Sequence, residues 1–246
     1  MHLLLCSTTD YPGLWAYQSL REIGLPSLEI ITSDTLAYSS LWEHRVGAAG
    51  VSVSFTLPDG RQIRDTQIDG VLNRLLVPPQ ELIARAMPED REYALQETTA
   101  MYLSWLHGLS CPVLNRPTPQ GLAGRWWHAS EWALLAHDAG FAVPPYRQAP
   151  DDPSDRGYVS MAPAGVAVTH VVTLDGRTFG AALPSEVRDR CSRLAELSQT
   201  RLLGIDLFPT TEDPWTFAFA TPTPDLQAGG RELLACVAGA LNGGRL

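Results

Sequence analysis

The sequence predicts an α/β fold in two parts, and three observations carry that expectation. Short apolar runs alternate with helical stretches through the first half, the pattern of a parallel sheet with crossover helices. The tract Gln148–Gly157 is rich in Pro and Asp and has no periodicity, so it reads as a linker. Beyond it, two β-rich runs are joined by Asp175-Gly176, a strong hairpin signal. The expected division is 1–147, a linker at 148–164, and 165–246.

The elements follow in order. His2–Cys6 is an apolar strand, Gly13–Ile23 a helix stopped by Gly24, and Leu28–Thr32 a second strand. Val51, Val53 and Phe55 alternate with polar residues, as a half-buried strand does. Pro58-Asp59-Gly60 turns the chain back into Arg61–Arg64. Ile68–Leu72 is a further strand that ends at Asn73-Arg74. Glu89–His107 is the longest helix, with Pro88 at its start, and Cys111–Leu114 the next strand. Leu122–Ala139 reads as a helix rich in Trp126, Trp127 and Trp132, capped by Gly140.

In the second half the strands Val166–Leu174 and Thr178–Leu183 form the hairpin. Ser185 is placed to cap a helix whose buried face is Val187, Cys191, Leu194 and Leu197. Leu203–Leu207 and Trp215–Ala220 are two more strands, and Leu226–Leu241 is the last helix.

Composition removes several function classes. Net charge is −9, which disfavours nucleic-acid backbones and anionic lipid. No apolar run is long enough for a membrane span, and a cytoplasmic location is expected. All eighteen basic residues are arginine. Without lysine there is no Schiff-base chemistry and no P-loop. Cys6, Cys111, Cys191 and Cys236 form no CxxC pair and read as core thiols. His128 and Glu131 share a helical face, but His137 lies about 180° away, so a metal site is not expected there. No G-x-S-x-G motif supports a hydrolase triad.

One constellation stands out. Val71-Leu72-Asn73-Arg74 is followed by a long helix, then Pro112-Val113-Leu114-Asn115, Arg125 near a predicted helix start, and Gly140-Phe141-Ala142-Val143-Pro144. Later come Gly204-Ile205-Asp206-Leu207 and Phe217-Ala218-Phe219-Ala220-Thr221-Pro222. In order and spacing the chain resembles the RimK-like branch of the ATP-grasp ligases. That resemblance implies a Rossmann-like pre-ATP-grasp domain followed by an ATP-grasp C-terminal lobe, here truncated. It places Arg74, Asn115, Arg125 and Asp206 in a remnant nucleotide site.

The departures matter as much as the likeness. Phe219 and Thr221 stand where the family has the glutamate and asparagine that hold Mg²⁺. A carboxylate is a ligand for this hard cation and a phenyl ring is not. The adenine-clamping region is reduced to about twenty residues, against many tens in the family, and the family's lysines are missing. Loss of one charge-stabilising contact in such a site costs about 2.7–4 kcal/mol of barrier.

The expected function is therefore a non-catalytic, degenerate ATP-grasp protein acting as a binding or scaffold subunit, with no catalytic residue, no metal and no cofactor. Its expected partner is a protein or peptide, or a second copy of itself. One alternative is a minimal carboxylate–amine ligase using ATP and Mg²⁺. Another is a small-molecule binder in an interdomain cleft.

Overall fold

The computed structural model describes residues 1–48, 50–145 and 161–243. It divides into two compact units, Met1–Gly124 with Leu234–Leu246, and Arg125–Leu233. Most of the expected linker, 148–160, lies outside the described residues.

The first unit begins β1 (His2–Cys6), α1 (Tyr11–Glu22), β2 (Leu28–Thr32) and α2 (Ser33–Ala37). It continues with β3 (Ser40–Gly47), β4 (Gly50–Thr56), β5 (Gln62–Arg64) and β6 (Gly70–Asn73). Then come α3 (Gln80–Ala84), α4 (Arg91–Gly108) and β7 (Val113–Leu114). The main sheet has the order β2-β1-β6-β7 and every pairing in it is parallel. β1 is buried along its whole length, as an apolar run covered on both faces must be.

α1 starts two residues before the expected Gly13. Asp10 accepts a hydrogen bond from Gly13 N at 3.0 Å, and Pro12 sits in the first turn, where its missing N–H costs nothing.

A second, antiparallel sheet has the order β3-β4-β5. Val53 and Phe55 are buried in it, as the alternation predicts. The short helices α2 and α3 and the strand β3 were not anticipated. β3 is exposed along most of its length and carries little apolar periodicity. Trp42 on β3 stacks on Phe55 at 4.2 Å, and Tyr102 and Trp105 of α4 meet it edge-on. Gly108 ends α4 against Val51, where a Cβ would come within 2.7 Å.

The second unit contains α5 (Ala129–Asp138), β8 (Thr169–Leu174), β9 (Arg177–Gly180) and α6 (Ser185–Leu197). β10 (Leu202–Phe208) and β11 (Thr216–Thr221) follow, and α7 (Gly230–Leu241) begins at the unit's end. Its sheet is antiparallel, in the order β11-β10-β8-β9. The Asp175-Gly176 hairpin is as expected, with positive φ at both residues (48° and 81°). Trp132 and Ala136 of α5, with Cys191 and Leu194 of α6, pack on Ile205, Leu207 and Phe217.

Three further expected helix boundaries are corrected. The tryptophan segment is helical only from Ala129: Gly124 has φ +112°, and His128 is an extended N-cap whose ring accepts from Ser130 N while Glu131 accepts from His128 N. Trp126 and Trp127 thus precede the helix. Ser185 is the first residue of α6, flanked by Pro184, and makes no side-chain cap. Gly230, at φ +61°, breaks the last helix into a 3-10 turn (Leu226–Gly229) and α7. Among the described residues no helix is long and apolar enough to cross a membrane.

All four cysteines are buried and none is in a disulfide. Burial pushes the Cys6 and Cys191 thiols up to about 12, so at pH 8 both are protonated and poor nucleophiles. The folded protein is therefore expected to resist iodoacetamide at pH 8, and the urea-unfolded chain to take up four labels by intact mass. Fast labelling of Cys6 or Cys191 in the folded state would contradict this.

Candidate functional site

In the second unit, β10 carries Asp206 and is flanked by β8 and β11. His170, Asp206 and Phe219 are directly opposed across the three strands, so they form one row on one face of the sheet. Ile205 and Leu207, on either side of Asp206, turn into the core. A bulge between Asp206 and Leu207 shifts the register there and re-aims the following residues.

His170 Nδ1 lies 2.7 Å from Asp206 Oδ1. With Nδ1–H donating to the carboxylate, Nε2 is left as an acceptor on a side chain that is 62% exposed. Thr221 belongs to the same face. Its hydroxyl accepts from Thr223 N at 3.2 Å and lies 3.3 Å from Thr223 Oγ1, which closes a local turn.

In the first unit, Arg74 and Asn115 follow directly on the C-terminal ends of β6 and β7. β1 and β6 are neighbours whose chain continues to opposite sides of the sheet, which makes the crevice between their ends the switch point where α/β folds hold ligands. That crevice holds an ion pair. Arg74 donates from Nε to Asp10 Oδ2 at 2.7 Å and from its terminal nitrogen to Oδ1 at 2.9 Å. Both side chains are shielded, at 3% and 15% exposed.

Asp10 also caps α1, so its carboxylate fills a helix N-terminus that could otherwise receive a phosphate. Only glycine fits at position 13, where a Cβ would stand 2.5 Å from Asp10 Oδ2 and 3.1 Å from Arg74 Nε. Next door, buried Asn73 donates to the carbonyls of Asn115 (3.1 Å) and Leu122 (2.6 Å) and accepts from Leu75 N (3.3 Å). Asn115 is itself buried.

Arg125 is not at a helix start, because α5 begins four residues later. Its guanidinium lies over the Trp127 ring, 3.7 Å from the centroid. Of the four expected residues, Arg74 and Asn115 belong to the first unit and Arg125 and Asp206 to the second. Sequence reasoning missed Asp10 and His170 as partners. Asp10 carries a readable cap signal ahead of Pro12, whereas His170 carries none.

No protein-family model matches the chain, and no curated protein matches it in sequence. Solved structures do resemble it. The macrocyclase MdnC of Microcystis aeruginosa MRC, bound with its precursor peptide MdnA, aligns with TM-score 0.70 at 12% identity, over 98% of this chain and 99% of that one. The RiPP-associated ATP-grasp ligase of Chryseobacterium gregarium, in complex with ADP and a leader and core peptide, aligns at 0.67 and 10%, over 98% and 96%. The ATP-grasp ligase PsnB, complexed with a variant of its minimal precursor, Mg and ADP, aligns at 0.67 and 17%, over 98% and 97%.

The chain has the ATP-grasp fold.

An ATP-grasp fold brings Mg²⁺ into question, and the donor set can be tested against it. Mg²⁺ requires near-octahedral oxygen ligands at about 2.0–2.1 Å and is usually held by carboxylates. In the row on β8, β10 and β11, Asp206 is the one carboxylate and an imidazole engages it. Phe219 supplies no oxygen, and the Thr221 hydroxyl is engaged in its turn. Among the described residues no group of three or more His, Cys, Asp or Glu could hold a metal ion. The row does not fit Mg²⁺.

Proposed function

We propose that this chain is a RimK-like ATP-grasp protein that has given up ligation and serves as a binding or scaffold subunit for a peptide, in the setting of peptide modification. The observation that carries this reading is the His170–Asp206–Phe219 row. A ligase of this fold needs metal-bridged phosphates, because phosphoryl transfer rests on positioning and charge neutralisation. Here the metal carboxylate is bonded to a histidine and faces a phenyl ring.

The remnant nucleotide residues point the same way. Arg74 is engaged by Asp10, Asn115 is tied to Asn73, and Arg125 lies over Trp127. The Asp10 pair and the Trp127 ring compete with a phosphate for the two guanidiniums, while Asn115 is held through its backbone carbonyl. Support for a peptide partner comes from the similar proteins, whose structures contain precursor, leader or core peptides.

The deciding experiment is titration calorimetry of the purified chain with ATP and MgCl₂. The expected result is no measurable heat from a well-folded sample. Micromolar binding, or ADP formation on adding a carboxylate and an amine, would overturn the reading in favour of a minimal ligase.

A further inference from the structure

Apart from Tyr11 and Val46, the most exposed large apolar side chains of the first unit come from elements that are neighbours. Tyr38, Leu41, Val77, Met87 and Tyr93 are each between 56% and 78% exposed. They come from the end of α2, the start of β3, both flanks of α3 and the first turn of α4. These elements are neighbours: α3 packs against both α2 and α4. Arg85, which ends α3, lies over the Tyr38 ring at 4.7 Å and joins the two sides. Scattered exposed apolar residues need no explanation, but a contiguous group of this kind marks an interaction surface.

The rim of this patch is acidic. Glu89, Asp90, Glu92 and Glu97 are exposed beside it, against two exposed guanidiniums, Arg85 and Arg91. Arg85 is already stacked on Tyr38. A second copy of the chain, meeting this patch about a two-fold axis, would bring acidic rim against acidic rim on a molecule of net charge −9. The complementary partner has apolar anchors to cover the centre and basic residues to meet the rim.

We propose that the surface formed by α2, α3 and the start of α4 docks a polypeptide segment of a second protein that carries apolar side chains flanked by lysine or arginine. This rests on the reading of the chain as a binding subunit and names the surface and the partner chemistry. The apolar centre supplies affinity by removing area from water. The acidic rim supplies orientation and on-rate, so binding weakens with salt.

The test uses fluorescence anisotropy with a labelled peptide of about 15 residues that carries leucine and phenylalanine at one-face helical spacing between lysine pairs. A control peptide has glutamate in place of lysine. The full chain is compared with Met87→Ser/Tyr93→Ser, whose side chains are exposed and whose melting temperature should match the parent. A second control, Leu134→Ser, removes an exposed leucine from the other unit.

The expected result is binding of the basic peptide but not the acidic one, and a loss of about tenfold or more in Met87→Ser/Tyr93→Ser but none in Leu134→Ser. Glu89→Gln/Glu92→Gln should weaken the basic peptide and flatten its salt dependence. Equal binding by parent and Met87→Ser/Tyr93→Ser would overturn this surface while leaving a peptide-binding role intact. Binding of neither peptide would overturn the partner chemistry, and ATP calorimetry separates that failure from failure of the non-ligase reading. A dimer that Met87→Ser/Tyr93→Ser converts to monomer would give the surface to a second copy and overturn the proposal.

Discussion

Replacing Arg74 with alanine is expected to destabilise the protein by about 3–5 kcal/mol, because it leaves a shielded carboxylate without its counter-charge. Asp10 is held in place by α1, whose N-terminus it caps, so it cannot swing out to water without giving up that cap. Arg74 is almost wholly buried and forks onto both carboxylate oxygens, the geometry in which arginine cannot be exchanged for lysine.

The exposed pair Arg61–Glu29 is the internal control. Arg61 also pairs with Asp59, and because both contacts lie at the surface Arg61→Ala should cost about 1 kcal/mol or less. Chemical denaturation of both variants and of Asp10→Ala, with the Asp10→Ala/Arg74→Ala double variant, closes the cycle. If Arg74→Ala cost no more than Arg61→Ala, Arg74 would not be committed to the fold. It would then be available to a phosphate, and the switch-point crevice would be open to a nucleotide.

That ion pair also marks the limit of what the sequence discloses. Elements set by local periodicity were readable: the apolar strand β1, the Asp175-Gly176 hairpin, and the Val187, Cys191 and Leu194 face of α6, although Leu197, expected on that face, is exposed at the helix end. The tryptophan segment misled because its apolar residues sit at helical spacing ahead of a helix that Gly124 and the His128 cap confine to Ala129 onward. β3 escaped because an exposed edge strand needs little apolar pattern.

The same division holds at the site. Asp206 could be placed from its own short phrase, Gly204-Ile205-Asp206-Leu207. Its partner His170 is 36 residues away and is brought opposite only by the register of β8 on β10. Asp10 and Arg74 are separated by 64 residues and meet because β1 and β6 are parallel neighbours. Side chains recruited by strand pairing leave no trace in local spacing.

Truncating Trp105 to alanine is expected to cost a further-reaching 3–5 kcal/mol or so, the usual range for a buried aromatic residue. Trp105 is 1% exposed and meets three rings at once, with Phe55 at 5.3 Å, Trp42 at 5.6 Å and Tyr102 at 5.8 Å. Its indole Nε1 has no hydrogen-bond partner among the described residues, so its contribution is one of packing. Trp105→Phe should for that reason lose only about 1–2 kcal/mol, since most of the volume and ring contact survives. Urea unfolding measures both. Equal costs would mean that the indole N–H, not the packed rings, supplies the stability. The location of the damage is a second readout: this cluster is what holds β3 and β4 against α4. In Trp105→Ala, amide exchange should quicken first in β3, the edge strand that carries Leu41, and basic-peptide binding at the neighbouring patch should weaken with it. Unchanged exchange in β3 would show that the strand is held by its pairing with β4 alone, and would uncouple the aromatic cluster from the docking surface.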